Sequence, residues 1–355
     1  MKALVKDLVK KLLYALGYYR IYGAIRTSKE PRLLVLMYHD ILDEARVSDP
    51  TELDDESPSA REFEAHLRVL TSHYSVLPLR EAVERLHRGE LDRNSVAITF
   101  DDGYEAVFSV AFPFLKRYNV PATVFLLTDW IDNQKPYWWH RVRGLIQRSH
   151  FTGVTRAKLE SILQTSCDTY GESPISMSTR RLLAHSIERS FRDLRDEERD
   201  ERLAVLERTL SPAADGEPPP EGALTWDQVR EMSAHGVDFE PHTCSHINIR
   251  HENRERIQRE IECSRRAVEQ QTGRKVAGFA YPYGKDLAAY AAIEGILREQ
   301  GFAYAITAVH GVNSRETHPY LLLREGLPRT TSGALLHRSL ILAFARPREG
   351  GHLPT

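Results

Sequence analysis

The sequence predicts an α/β protein, built as a parallel sheet or barrel and interrupted by a helical insertion. Three observations favour this. Apolar, β-prone segments alternate with amphipathic helical segments over most of the chain, which is the pattern of βα units. Titratable side chains directly follow several of the predicted strands, and catalytic groups of such folds collect where strands end. From about residue 130 to 222 the alternation is replaced by helical patterns without a strand pattern.

Length and composition set outer bounds on the function. A chain of 355 residues is long enough for one large domain with an insertion or for two ordinary domains. Its formal net charge of −2 gives no reason to expect a nucleic-acid partner. The three cysteines, Cys167, Cys244 and Cys263, are scattered without metal-ligand spacing, which indicates a reducing compartment and no disulfide framework.

The N-terminal segment, residues 1–32, is basic, with eight Lys or Arg and two acidic residues. Apolar residues recur at helical spacing between Leu4 and Leu16, with lysines on the other side. The segment is too short and too charged for a transmembrane span, and it lacks the apolar core of a signal peptide. Two interpretations remain open: residues 1–26 lie on an anionic membrane surface, or the helix covers the bottom of the barrel. We expect a protein of the cytoplasm or the inner membrane face.

From Leu33 onward, strands and helices alternate. Ser59 and Glu62 form a predicted capping box at the start of the first helix of this part, and Gly89 ends the next helix. The acidic stretch 47–58 is predicted to be a solvated loop. The strands are predicted at 33–37, 74–77, 95–100 and 122–127, and the later helices at 79–88 and 104–118.

The second half resumes the alternation after a proline-rich return at 215–220. Thr225 is predicted to cap the returning helix, and Gly273 to end a long charged helix that begins near 253. Further elements are a strand at 236–239, a helix at 288–300 and a strand at 302–307. The predicted organisation is an N-terminal helix at 1–32, a barrel in two parts at 33–129 and 223–330, a helical insertion at 130–222, and a tail at 331–355.

Trp138 and Trp139 open the insertion. Their aromatic rings are compatible with a lid that stacks on sugar rings. We favour the alternative in which they anchor the insertion to the core, because paired tryptophans beside an apolar segment usually pack.

Two adjacent carboxylates, Asp101 and Asp102, end the apolar strand at 95–100 and precede Gly103. Successive strand residues point to opposite faces, so the strand must end there for both to face one centre, and Gly103 permits the necessary turn. A turn followed by a helix cap explains many isolated Asp-Asp-Gly sequences. The functional alternative is that one carboxylate binds a metal ion while the other transfers protons.

Two histidines, His242 and His246, follow the strand at 236–239. If a helical turn starts near His242, the two imidazoles share a face and can bind one ion, although such pairs are also common without a metal. With one carboxylate they would form a three-ligand site with open positions. Cys244 lies between them, and its side chain is expected to project away. The segment 278–284 is strand-like and broken by Pro and Gly, and it offers backbone N–H groups to a substrate oxygen.

These segments match known motifs. Thr99-Phe100-Asp101-Asp102-Gly103 equals a T-F-D-D-G motif, His242-Thr243-Cys244-Ser245-His246 fits H-[ST]-x-x-H, and Tyr281-Pro282-Tyr283-Gly284 fits most of R-x-P-Y-G. Together they resemble the polysaccharide deacetylases with a NodB homology domain, carbohydrate esterase family 4. Leu36-Met37-Tyr38-His39-Asp40 is similar to the M-Y-H-D of the branch that acts on poly-N-acetylglucosamine exopolysaccharides.

The resemblance covers about residues 33–130 and 223–330, and it implies a distorted (β/α) barrel of about seven strands. It implies metal-dependent hydrolysis of an N-acetyl group on an amino-sugar glycan, with zinc as the expected ion and cobalt, nickel or iron as alternatives. The implied metal ligands are Asp102, His242 and His246. The implied catalytic groups are Asp101 as general base, His39 as general acid and the backbone N–H of Tyr283 for the oxyanion. The implied substrate contacts are Tyr104, Tyr281 and Pro282.

The sequence also departs from the family pattern. Ala280 stands where the motif has the arginine that orients the base, and no D-x-x-D-W or late L-x-x-x-H is present. Arg324 and Arg329 are candidate replacements, although surface positions in a polar loop are favoured for both. These departures leave two alternatives open: a carbohydrate-binding barrel without activity, and a metal-dependent amidase acting on a non-sugar substrate. The sequence does not predict the oligomeric state.

Overall fold

The computed structural model describes residues 2–26, 30–43, 57–149, 176–210 and 222–346. Most of the predicted acidic loop at 47–58, the proline-rich return at 215–220 and the end of the tail lie outside these ranges.

The first five strands form a parallel sheet that carries the catalytic motifs. These strands are β1 (Leu33–Tyr38), β2 (Ser75–Val76), β3 (Ser95–Phe100), β4 (Ala122–Leu126) and β5 (Val237–Pro241). Strand β3 is the central strand of this sheet. One edge of β3 pairs with β1 along the whole length of β3. The other edge pairs with β2 at the start of β3 and with β4 at its end. β4 then pairs with β5. Every pairing is parallel, so the carboxyl ends of these strands meet at one edge.

A second parallel sheet has the order β6 (Gly278–Ala280), β7 (Tyr304–His310) and β8 (Leu322–Arg324). It joins the first sheet beside β1, where Met37 donates its N–H to Glu325 at 3.0 Å and Glu325 donates to Val35 at 2.9 Å. On the opposite side the link runs through side chains, because the Glu240 carboxylate accepts the N–H of Ala277. Seven strands therefore form an open, distorted ring with the two-residue β2 beside it, and the expected α/β barrel fold is confirmed.

Helices cover the outside of the ring and close its lower end. In chain order they are α1 (Lys2–Ala15), α2 (Tyr18–Arg26), α3 (Ala60–His73), α4 (Leu79–Arg88), α5 (Phe112–Tyr118), α6 (Thr128–Asn133), α7 (Trp138–Arg148), α8 (Met177–Arg192), α9 (Asp196–Leu210), α10 (Trp226–Ala234), α11 (Arg254–Thr272), α12 (Leu287–Ala292), α13 (Glu294–Glu299) and α14 (Gly333–Phe344). The Ser59–Glu62 capping box is present, and Gly89 and Gly273 end α4 and α11 at φ values of 75° and 67°. A π-helical turn at Val107–Ala111 precedes α5.

The ring interior is apolar below the catalytic edge. Side chains from β1, β3, β4 and the second sheet meet there with the apolar face of α4, including Leu79, Val83 and Leu86. Among the described residues, this interior cluster contains no side chain from α1 or α2. The helix that covers the bottom of the barrel is therefore α4, and the N-terminal helices pack on α14 instead. None of the helices in the described ranges combines the length and the apolar character that crossing a bilayer requires.

The described part of the insertion is helical, as the sequence predicts. Helices α8 and α9 both pack on α7, and Ile146 and Phe191 are among the buried residues there. The Arg143 guanidinium donates a 2.7 Å hydrogen bond to the largely buried Glu188 carboxylate, which links α7 to α8. The buried side chains of the insertion are continuous with the apolar layer outside the barrel strands, and Trp138 and Trp139 bring the insertion to the cavity at the carboxyl ends of those strands.

Candidate active site

The two adjacent carboxylates lie at the end of β3, as predicted. The N–H of Asp101 donates to the Tyr38 carbonyl at 2.9 Å, which extends the ladder between β1 and β3 by one residue. The chain then turns, with Asp102 at φ 70° and Gly103 at φ 83°. A Cβ on Gly103 would lie 2.9 Å from Leu126 Cδ2, so both the conformation and the space favour glycine. Both carboxylates are buried at the base of one cavity.

The two histidines are presented by a loop, and the expected helical turn is wrong. Thr243 and His246 have φ values of 70° and 56°, which no helix contains. The loop is held by the Glu260 carboxylate of α11, which accepts the backbone N–H groups of Cys244 and Ser245, each at 2.9 Å. The Ser245 hydroxyl donates to the same carboxylate at 2.7 Å. The loop amides therefore bond to a carboxylate where a helix would bond them to carbonyls.

Asp102, His242 and His246 converge in the way the resemblance implies. The Asp102 Oδ1 atom lies 3.5 Å from His242 Nε2 and 3.8 Å from His246 Nε2. One ligand atom from each of the three side chains lies within 4.8 Å of the others. His242 Nδ1 is 2.8 Å from the Ala280 carbonyl, an interaction that directs Nε2 at the centre.

The chemistry of these three side chains fits a divalent cation. Asp102 Oδ1 and His246 Nδ1 are buried without a hydrogen-bond partner among the described residues. Unsatisfied buried acceptors are costly, and a metal ion would satisfy the carboxylate oxygen. Cys244 takes no part, because its Sγ atom lies 3.5 Å from the Glu260 carbonyl, as expected for a side chain that projects away.

Arg324 pairs with Asp101, the contact implied for the missing motif arginine. Its two terminal nitrogens each donate a 2.7 Å hydrogen bond to one oxygen of Asp101, and its Nε donates to the Thr307 carbonyl at 2.6 Å. Its side chain is 1% exposed, so the favoured surface position in a polar loop is wrong for this arginine. The reason is that β8 directs it into the barrel, whereas Arg329 lies outside and pairs with Glu62.

The two neighbouring carboxyls differ in acidity. Burial favours a higher pKa for Asp101, but the charge and the two hydrogen bonds of Arg324 outweigh it and lower the pKa. Burial raises the pKa of Asp102, which has no such partner, in spite of the neighbouring His39 and His242. A cation bound by Asp102, His242 and His246 would lower the pKa of Asp102 and keep its carboxylate ionised.

The cavity above these groups has a volume of about 360 Å³. His39 lies at its rim with a side chain that is about half exposed, and its Nε2 is 3.9 Å from Asp101 Oδ2. Tyr283 lines the cavity from a turn in which its φ is 62°. The predicted catalytic and metal-binding residues therefore surround a single cavity.

Comparisons with known proteins identify the family. The family model described as polysaccharide deacetylase matches residues 88–164 and 193–305, together more than half of the chain. This chain belongs to the polysaccharide deacetylase family. A curated relative from Staphylococcus epidermidis, named poly-beta-1,6-N-acetyl-D-glucosamine N-deacetylase, is 32% identical over 108 residues, or 28% of this chain and 37% of the relative. The Staphylococcus aureus protein of the same name is 34% identical over 88 residues, 24% of this chain and 30% of the relative.

The alignments thus span about a third of the length of these curated deacetylases. Solved structures show that the similarity of fold extends over most of the chain. The Streptococcus pyogenes deacetylase PplD superposes with a TM-score of 0.57 at 18% identity, covering 88% of this chain and 99% of that one. IcaB from Ammonifex degensii gives 0.55 at 19% identity, covering 88% and 98%. The fold described above is therefore the fold of this deacetylase family.

The three residues predicted to contact substrate differ in accessibility. Tyr104 and Tyr281 line the cavity, but both hydroxyls already have protein partners. The Tyr104 oxygen accepts the Trp139 Nε1–H at 3.2 Å, and the Tyr281 hydroxyl donates to the Tyr320 carbonyl at 3.0 Å. Pro282 is buried, and its carbonyl accepts the Tyr290 hydroxyl. Their contact with substrate stays a prediction.

Aromatic residues of the insertion, together with Tyr283 of the barrel, brace the histidine loop. The Trp139 ring meets the His246 ring edge to face at 5.0 Å, and the Tyr283 ring packs on His246 at 4.6 Å. The Tyr137 hydroxyl donates to the Cys244 carbonyl at 3.1 Å. Trp138 and Trp139 are only 7% and 8% exposed, which agrees with the anchoring interpretation, although both also line the cavity.

Sequence reasoning missed two contributors to this site. Glu260 lies in a helix with many charged residues, and nothing in its spacing separates it from the solvent-exposed ones. The bracing contact of Trp139 depends on how the insertion folds back. Arg324 was a candidate, but only its burial in the structure distinguishes it from Arg329.

Proposed function

We propose that this protein hydrolyses the N-acetyl group of an amino-sugar glycan, releasing acetate and leaving a free amine. The observation that carries the proposal is the convergence of Asp102, His242 and His246 beside a second carboxylate, Asp101, which Arg324 keeps ionised. Two curated relatives are named as deacetylases of poly-β-1,6-linked N-acetylglucosamine, so this polymer is the first substrate to test.

Asp102, His242 and His246 would hold the divalent ion, and zinc is our first choice because two imidazoles and a carboxylate suit it. Cobalt, nickel and iron accept the same ligands. When bound, such an ion supplies a Lewis acid that polarises a carbonyl and lowers the pKa of water.

The remaining steps belong to residues of this chain. Asp101 accepts a proton from water as the water oxygen bonds to the acetyl carbon. The Tyr283 N–H donates to the oxygen of the acetyl group as it gains negative charge. His39 gives a proton to the nitrogen as the carbon–nitrogen bond breaks, and the products are acetate and the amine. Arg324 orients Asp101 throughout and keeps it unprotonated before the reaction.

An inactive carbohydrate-binding barrel is not favoured. This alternative was considered because Ala280 replaces the motif arginine, and Arg324 supplies a guanidinium that pairs with Asp101 instead. His39, in turn, lies on the cavity rim where a general acid is needed.

Acetate release tests the proposal. Purified protein loaded with zinc is given β-1,6-linked N-acetylglucosamine oligomers, other N-acetylglucosamine oligomers and simple acetamides. We expect release from a glycan and little from the acetamides. Asp101→Asn should lower the rate by about 10² to 10⁴, the usual contribution of general base catalysis, and His39→Ala should also lower it. Asp92→Asn, on the surface, is the matched control. Acetate release by Asp101→Asn near the wild-type rate would refute the role of Asp101.

A further inference from the structure

The N-terminal helix pair, residues 2–26, concentrates the exposed apolar side chains of the described structure. Nine large hydrophobic residues are exposed in the described ranges, and seven of them lie in this pair. The seven are Leu8, Val9, Leu12, Leu16, Tyr18, Ile21 and Ile25. The other two, Leu182 and Val205, lie on separate helices of the insertion. Such a concentration marks a surface that contacts something apolar.

The other face of the helix pair is attached to the barrel. The Tyr14 hydroxyl lies 2.7 Å from His337 Nδ1 on α14. Tyr19 is buried, and the Arg338 guanidinium lies 4.8 Å from the centre of its ring. Because the two helices are held through these contacts, their exposed apolar residues form a second face that the rest of the described fold does not cover.

The charges around the apolar face match an anionic surface. At about 100° per residue, Leu8, Val9 and Leu12 span an arc of about 100° on α1. The exposed Lys6 and Lys11 each lie about 60° beyond one edge of that arc. Residues 1–26 contain six Lys or Arg and one acidic residue, in a chain whose net charge is −2.

We propose that the N-terminal helix pair binds this protein to the surface of an anionic lipid bilayer. The apolar arc enters the boundary between headgroups and acyl chains, and the flanking lysines contact the lipid phosphates. Lysines on both sides of an apolar arc are the arrangement of helices that lie in the plane of a membrane interface. Two copies that met through this face would bring two basic helix pairs together, and this repulsion argues against a second copy of the chain as the occupant.

The position of the helix pair also predicts how the bound protein is oriented. His337, which contacts Tyr14, stacks on His73 at 4.0 Å and faces Tyr74, immediately before β2. The helix pair is therefore attached where the parallel strands begin, whereas Asp101 follows the end of β3. Membrane binding should leave the cavity open to a glycan in the aqueous phase. Only this consequence rests on the proposed function.

Vesicle sedimentation tests the proposal with the full chain. We expect binding to phosphatidylcholine vesicles that contain phosphatidylglycerol, weak binding to phosphatidylcholine alone, and weakening as salt rises. Leu12→Glu should reduce the vesicle–water partition coefficient by a factor of about ten or more, because it replaces a leucine that would enter the bilayer with a charged side chain. Lys11→Glu should reduce it about tenfold through charge. The matched controls are Leu182→Glu, an equally exposed leucine on the insertion, and Lys135→Glu, and both should bind like wild type.

Three results would overturn the proposal. The first is equal binding to neutral and anionic vesicles, and the second is equal loss of binding in Leu12→Glu and Leu182→Glu. The third is a dimer, detected by light scattering, that Leu12→Glu dissociates, because the apolar face would then bind a second copy. Circular dichroism melting checks that each variant folds. Acetate release from soluble oligomers should be the same with and without vesicles. Vesicle binding by a protein without deacetylase activity would refute the proposed function and leave the membrane proposal standing.

Discussion

The barrel edge and the helical insertion face the same cavity, but they contribute to it in different ways. The barrel supplies the charged and titratable groups that surround Asp101, from strand ends and the loops that follow them. These groups are His39, Asp101, Asp102, His242, His246 and Arg324. The insertion adds Arg143, Glu188 and Arg192 to the cavity lining, and it contributes contacts that hold the barrel groups in place, such as the Trp139 ring against His246. From this difference we expect the barrel to carry the proposed chemistry and the insertion to set its precision.

The physical basis of this division is rigidity. Parallel strands bring their carboxyl ends to one edge through ladder hydrogen bonds, so residues distant in sequence meet with little freedom. The insertion reaches the site through ring packing and a few hydrogen bonds. One of these joins the Arg199 guanidinium to the Tyr283 hydroxyl at 3.4 Å. Substitutions in the barrel should therefore remove activity, whereas substitutions in the insertion should mainly weaken the positioning of the metal ligands.

The largest effect is expected from removing a metal ligand of the barrel. His242→Ala should abolish stoichiometric zinc binding and lower acetate release by at least about 10³, because the ion's Lewis-acid contribution is lost. Excess zinc should not restore activity. Metal content by mass spectrometry and acetate release are the measurements, and His235→Ala, an exposed histidine after α10, is the control. Full activity of a metal-free His242→Ala would contradict the metal-dependent mechanism.

Arg324→Lys tests the second barrel feature, the pairing that keeps Asp101 ionised. Lysine keeps the charge but cannot reproduce the two parallel hydrogen bonds, so we expect kcat/KM to fall by about 10². Since Arg324 lowers the pKa of Asp101, weakening the pair should raise that pKa and move the acidic limb of the pH–rate profile to higher pH. Arg329→Lys is the matched control. An unchanged acidic limb in Arg324→Lys would show that Arg324 does not set the acidity of Asp101.

A smaller effect is expected from the insertion. Trp139→Ala removes the ring that packs on His246, and we expect zinc affinity to fall about 10-fold to 100-fold, as for other residues that orient metal ligands. Unlike His242→Ala, this variant should recover most of its activity at saturating zinc. Zinc titration followed by acetate release measures both quantities, with Trp226→Ala as the control. If a folded Trp139→Ala variant stays inactive at saturating zinc, Trp139 takes part in the reaction itself. The insertion would then do more than position the metal ligands.

The smallest effect concerns stability, and it should occur in both regions. Burial lowers the pKa of His66 in α3 to about 4 and that of His140 in α7 to about 3. As the pH falls below about 6.5, the unfolded chain binds protons that the folded chain does not, so the free energy of unfolding decreases towards pH 4. At about 1.4 kcal/mol per pH unit, His66 alone accounts for up to about 3 kcal/mol at pH 4.

His66→Asn and His140→Asn should each flatten this dependence, measured by urea unfolding between pH 7 and pH 4. His235→Asn, at an exposed histidine, should leave the slope unchanged. Equal slopes in wild type and His66→Asn would show that His66 is not buried in its neutral form.

Much of the fold was predictable because its signals are local. The strand that ends at Phe100, the Ser59–Glu62 capping box and the glycines after α4 and α11 each depend on neighbouring residues alone. The histidine loop was predicted wrongly as a helical turn, since its conformation depends on Glu260, a residue 14 positions beyond His246. Arg324 could not be preferred over Arg329, because the packing of β8 against β1 decides that Arg324 is buried against Asp101 while Arg329 is only half-buried, beside Glu62.

The sequence by itself determined which residue types reach the catalytic edge and in what order, because strand periodicity, capping and turn chemistry act over a few residues. Only the tertiary structure decided which carboxylate is paired with a guanidinium, what holds the histidine loop, and which face of the N-terminal helices is left uncovered. Those outcomes depend on contacts between residues far apart in the chain, with a separation of 223 residues for Asp101 and Arg324 and of 323 for Tyr14 and His337. Such contacts are set when the whole apolar core packs, and no short stretch of sequence encodes them.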